Sequence, residues 1–167
     1  MHVSQLRSDL QGSREDLFAI IRGLGEEQFR HLPAGETWSI ATHLAHLLRI
    51  ERVYTERAAA ALREDEPFVA STRVHNHDDP GLAQHLAVPQ IIHGMQATRR
   101  QLDTLLEGCD DRALQRSIKH ETIGRMTVAE IAAKMAGHER EHAAAVRALA
   151  RQVPPARNVI IPLAQRS

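Results

Sequence analysis

A chain of 167 residues with 43% apolar content can bury one core without cross-links, and it is too short for a second domain to be the natural reading. Lys plus Arg and Asp plus Glu number 21 each, so no field of one sign gathers nucleic acid or anionic lipid, and nucleic-acid binding has no support. Aromatic residues make up only 3%, and the abundance of Ala, Leu and Arg favours helix packing over strands, so an all-α protein is expected.

Leu6, Leu10, Leu17, Ile20, Ile21 and Leu24 recur at near-helical spacing and predict a first helix from about Ser4 to Arg22, stopped by Gly23 and Gly25. A loop with Pro33 and Gly35 leads to Thr37-Trp38-Ser39, where Thr37 or Ser39 can cap a second helix that runs to about Arg63. Pro67 to Pro80 lacks periodicity and reads as a long crossover loop, with His75 and His77 beside Asp78 and Asp79. Asp79-Pro80 looks like a cap with proline in the first turn, and Pro89 predicts a break near Val88 before a third helix continues through Ile92, Met95, Leu102 and Leu105 to Gly108. Ser117 to Met126, with a glycine at 124, is compatible with a short extended pair. Thr127-Val128-Ala129-Glu130 reads as a capping box opening a fourth helix to about Arg151.

The domain expected from this pattern is a helical bundle over residues 1–152, followed by a proline-containing, extended C-terminal tail over 153–167. Arg7 and Asp9 break the amino-terminal apolar residues, and no stretch approaches the roughly 20 apolar residues of a membrane helix, so a cytoplasmic protein that binds no membrane is expected. The single cysteine, Cys109, has no partner for an intrachain disulfide and reads as structural.

Histidine is the unusual residue, with 11 copies. On the fourth helix Val128, Ile131, Met135, His138, His142, Ala145 and Leu149 step by three or four, placing two histidines in one otherwise apolar stripe. Positions four apart on a helix lie about 40° around and about 6 Å along, so both imidazoles can reach one ion at about 2.0–2.1 Å. The second helix offers a third ligand from His43 or His46, either of which can point inward. A lone histidine in an apolar row is more often a hydrogen-bonded boundary residue, so spacing alone leaves the metal site undecided. His2, His31, His85, His93 and His120 read as surface or boundary positions. Arg99, Arg100, Glu139, Arg140 and Glu141 read as a solvated charged face or interhelical pairs, with Glu139 or Glu141 as alternative partners of a ligand imidazole.

Trp38-Ser39-Ile40 followed by His46-Leu47, then Met126-Thr127-Val128-Ala129-Glu130-Ile131 leading to His138-Glu139-Arg140-Glu141-His142, resembles the DinB family, including its bacillithiol-transferase-like branch. The resemblance spans about Ser4 to Arg151 and implies an antiparallel four-helix bundle with a long crossover, frequently a homodimer. It selects His46 over His43 and, with His138 and His142, implies a site for one divalent metal, Zn²⁺ or else Ni²⁺ or Fe²⁺. Many relatives have Glu where this chain has Thr42, a difference expected to affect capping and not the metal. The activity implied is a metal-dependent S-transferase acting on a small molecule with a low-molecular-weight thiol as co-substrate. The alternatives are a metal-dependent hydrolase, or a non-enzymatic stress-associated binding or dimerisation module with a structural metal. His43, His75, His77 and Tyr54 are candidates for proton transfer or substrate positioning.

Overall fold

The computed structural model describes residues 2–71 and 81–153; the predicted Asp79-Pro80 cap, His75, His77 and the tail beyond Val153 lie outside the described residues. In chain order the elements are α1 (Val3–Ile21), α2 (Glu26–Arg30), α3 (Ile40–Arg63), β1 (Phe68–Val69), α4 (Gly81–His85), α5 (Val88–Glu107), α6 (Asp111–Leu114), β2 (Ser117–His120), β3 (Gly124–Thr127) and α7 (Val128–Ala150). No helix among the described residues is long and apolar enough to cross a membrane.

The local signals act as their chemistry dictates. Gly23 follows α1 with φ of 83°, a backbone conformation that Cβ-bearing residues disfavour. Ser39, not Thr37, caps α3, its Oγ accepting the Thr42 N–H at 3.2 Å. Pro89 sits in the first turn of α5, where its missing N–H costs nothing, and α4 ends before it at His85. At α7 the Thr127 and Glu130 side chains accept each other's backbone N–H, at 3.2 and 2.7 Å.

Three features depart from expectation. The crossover contains a two-residue strand, because Phe68 and Val69 pair in parallel with Lys119 and His120, partners too distant for any local pattern to reveal. His120 is buried; its Nδ1 accepts the Thr122 and Ile123 backbone N–H groups at 3.2 and 3.3 Å and so closes the β2–β3 turn. The short helices α2 and α6 fall below the length at which apolar periodicity carries information.

The long helices α1, α3, α5 and α7 form a four-helix bundle in which α1 packs chiefly on α7, and α3 on both α5 and α7. Residue pairing sets the directions. Gly94 faces Leu48 and Arg99 pairs with Glu51, so α5 runs parallel to α3, which is why a long crossover must join them. Arg14, Leu10 and Arg7 of α1 meet Met95, Arg99 and Asp103 in turn, so α1 runs antiparallel to α5.

Two apolar clusters fill the interior. One contains Leu6, Leu10, Tyr54, Leu102, Leu106, Ile131 and Met135; the other contains Leu17, Leu44, Leu48, Ile91, Met95, Ala143 and Val146. Each of the four helices passes from one cluster to the other at a buried charge: Arg14, Glu51, Arg99 and Glu139. These form an ionic square, with Arg14 reaching Glu139 at 2.5 Å and Glu51 at 2.8 Å, and Arg99 reaching Glu51 at 2.5 Å and Glu139 at 2.8 Å. Ser13 Oγ donates to Glu139 at 2.6 Å, Arg14 donates to the Met95 carbonyl at 2.6 Å, and Arg99 donates to the Leu10 carbonyl. The interhelical pairing considered for Arg99 and Glu139 is therefore the correct reading, and the solvated one is not. Arg100, Arg140 and Glu141 do lie on exposed positions.

Candidate metal centre

α3 and α7 run antiparallel, which brings the start of the first against the second half of the other and gathers four histidines there. His46 Nε2 lies 3.4 Å from His138 Nε2, and His142 Nε2 lies 3.1 Å from the same atom. Ligand atoms of His46, His138 and His142 all fall within 4.8 Å of one another. His43 joins from the opposite side of His142, with its Nδ1 2.8 Å from His142 Nδ1. The three imidazoles selected in the sequence thus lie together, and the unselected His43 is in the same cluster but faces a different nitrogen.

This donor set fits a divalent cation. Bonds of about 2.0–2.1 Å arranged tetrahedrally set neighbouring donor nitrogens about 3.3–3.4 Å apart, close to the separations at His138. Nitrogens facing each other this closely need a proton or a cation between them, and a cation satisfies all of them at once. All four histidines are partly exposed, so the cluster is not sealed from solvent.

Trp38 covers part of it. Its ring lies 5.0 Å from the rings of both His43 and His46 and 5.8 Å from that of His142, nearly parallel to the last at 22°. Trp38 immediately precedes the capping Ser39, so the signal that starts α3 also fixes the wall of the cluster. Thr42 accepts its role in that cap, its Oγ1 lying 2.9 Å from Ser39 Oγ. Burial pushes His43 down to about 4 and also lowers His138, where the nearby Glu141 and Glu139 carboxylates oppose it. Both are therefore neutral near pH 7, the state in which an imidazole nitrogen carries a free lone pair.

The remaining candidates fall elsewhere. Tyr54 lies two turns further along α3 in the other apolar cluster, where the Arg57 guanidinium stacks on its ring at 4.9 Å. His2, His85 and His93 are exposed and His31 half-buried. Burial and the neighbouring Asp110 push the Cys109 thiol up, and it donates to the Leu105 carbonyl at 3.2 Å, which fits a structural residue. The ionic square was missed from sequence, although Arg14 interrupts the Leu10–Leu17 row and Arg99 the Met95–Leu102 row, charges where apolar residues were due. A cavity of about 10 Å³ lies between that square and His138.

Bundle topology and a three-histidine cluster joining α3 to α7 define a class of helical proteins with a metal-type donor set at one end. The chain belongs to the DinB superfamily, whose model matches residues 9–146. Among solved structures it is similar to YfiT from Bacillus subtilis, a probable metal-dependent hydrolase with an unusual four-helix bundle topology. That pair has a TM-score of 0.77 and 16% identity, with 90% of this chain and 86% of that one covered. It is also similar to TT2238, a four-helix bundle protein, with a TM-score of 0.63 and 17% identity over 87% of this chain and 98% of that one. No curated protein matches the chain.

Proposed function

We propose that the protein is a metal-dependent enzyme holding one divalent ion, Zn²⁺ or else Ni²⁺ or Fe²⁺, through His46, His138 and His142. The convergence of their ring nitrogens between α3 and α7 carries this reading. When bound, such an ion lowers the pKa of a water or thiol in the position that three protein ligands leave free. The chain's own part is to supply three imidazole nitrogens, to shield one side of them with the Trp38 ring, and to hold α3 and α7 in register through the buried charges. A recess of about 230 Å³ lined by Arg30, Leu32, Thr37, Ser39, Thr42, Ala83 and Gln84 opens one turn before His46 on α3 and has room for a small substrate.

Hydrolysis is the reaction placed first, supported by the description of YfiT as a probable metal-dependent hydrolase. Small-thiol transfer at the same site is the second reading, favoured by the DinB-type motif around Trp38 and His46. The two separate in one assay: hydrolysis of an activated ester without thiol, against substrate consumption that requires an added low-molecular-weight thiol. Association as a homodimer belongs to the proposal and is read by light scattering.

The deciding experiment is metal analysis of untagged protein, comparing wild type with the His138→Ala, His142→Ala double variant. About one equivalent of metal in the wild type and little in the variant is expected for a single three-ligand site. Equal, negligible metal in both after incubation with Zn²⁺ or Ni²⁺ would sink the enzyme reading and leave a metal-free binding or structural module.

A further inference from the structure

We infer that His43 is a positioning residue for the metal centre: its Nδ1 accepts the Nδ1–H of His142 and so fixes the tautomer that turns the His142 Nε2 lone pair toward His46 and His138. The inference rests on the three-histidine site proposed above. Each nitrogen of the His142 ring has its own neighbour, with Nε2 lying 3.1 Å from His138 Nε2 and Nδ1 lying 2.8 Å from His43 Nδ1. A neutral imidazole carries one proton. If Nε2 is to donate its lone pair to a cation, the proton is on Nδ1, and a partner at 2.8 Å must then accept it. His43 is the residue at that distance, and to accept, its own proton must sit on Nε2.

The geometry also argues against two other roles. His43 stands outside the group of mutually close ligand atoms, so it is not arranged as a fourth ligand. Its nearer nitrogen is committed to His142, which removes that atom from proton transfer to a substrate. Its ring is held by packing: the Trp38 ring meets it edge-on at 5.0 Å and 63°, and the His142 ring does so at 5.0 Å and 67°. A ligand histidine whose other ring nitrogen is tied to an acceptor is oriented and made more basic, so loss of the acceptor weakens the metal without removing a ligand. His43 and His46 are three apart on α3, so one helix supplies both a ligand and the support for a ligand on the facing helix.

The test compares wild type with His43→Leu and His43→Asn. Leucine fills the space without an acceptor; asparagine places its Oδ1 where the histidine Nδ1 stands. Zn²⁺ dissociation constants are measured by competition with a chromophoric chelator, alongside melting of the metal-free proteins. His43→Leu is expected to bind Zn²⁺ about 10–100-fold more weakly with unchanged stoichiometry, and His43→Asn to recover most of the loss. Equal affinity of His43→Leu and wild type overturns the inference while leaving the metal site intact; equally weak binding by both variants assigns His43 to packing and overturns it too. A wild type that binds no Zn²⁺ sinks the metal reading itself. Should His43→Leu fail to fold, long-range ¹⁵N–¹H spectra of zinc-loaded wild type decide: a proton on His142 Nδ1 with none on His43 Nδ1 is expected, and the reverse arrangement refutes it.

Discussion

Glu139 offers the sharpest test of how the bundle is held, because removing its charge leaves two buried guanidinium groups sharing one carboxylate. In the folded protein Glu139 accepts from Ser13 Oγ at 2.6 Å, Arg14 Nε at 2.5 Å and a terminal nitrogen of Arg99 at 2.8 Å. Hydrogen bonds to charged groups contribute about 1.5–3 kcal/mol each, so three would sum to well above the net, since the carboxylate had to be desolvated. Glu139→Gln keeps the volume and one acceptor, but it places an amide donor against an arginine or Ser13 and leaves the square with an uncompensated positive charge. Breaking one partner of such a buried set costs about 3–5 kcal/mol. For a domain of this size that is a fall in melting temperature on the order of 6–20 °C. Circular dichroism melts of metal-free protein give the measurement, and Glu66→Gln is the control: its pair with Arg125 at 2.8 Å is exposed and the amide oxygen can still accept from Ser117 Oγ, so the change should barely move the curve. If Glu139→Gln melted with the wild type, the charge layer would not be what joins the two apolar clusters.

Acid stability should show two windows, both in the same direction. His43 and His138 are both held below the ordinary 6.5 by burial, so the unfolded chain takes up these protons first, and stability of the metal-free protein is full above pH 6.5 and declines as pH falls toward the folded values, about 4 for His43. Burial pushes the Glu139 carboxyl up, but the charges of Arg14 and Arg99 outweigh it and hold the group below its ordinary 4.5. Its contribution is therefore present above pH 4.5 and lost as pH falls through the folded value. Melts taken down through both ranges should show Glu139→Gln retaining the upper decline and losing the lower; parallel curves would refute the assignment. Gly94→Ala should destabilise despite the better helix propensity of alanine, because the new Cβ would stand 2.9 Å from Leu48 Cδ2 in the closely packed α3–α5 contact. Overpacking of about 1–3 kcal/mol against a propensity gain of about 1 kcal/mol gives a net loss in urea unfolding, and an unchanged or raised midpoint would contradict it.

Much of this protein is legible one helix at a time. The spacing of Leu6, Leu10 and Leu17, the Ser39 and Thr127 caps, and the Pro89 break act through neighbours a few residues away, so α1, α3, α5 and α7 were marked within a residue or two of their ends. The placement of His138 and His142 on one face of α7 is equally local, since it follows from helical pitch alone. Other features depend on contacts between segments far apart in the chain. His120 is buried because a hairpin turn closes on its ring, and Phe68 becomes a strand because β2 lies beside it. Spacing left His43 and His46 equivalent; their different neighbours depend on where His138 and His142 arrive from α7. The ionic square needs one residue from each of four helices, with Ser13 and Glu139 separated by 126 positions. A charge in an apolar row is ambiguous by itself, because burying it is unfavourable until the opposite charge is also in place, and that condition is met only when the helices have packed.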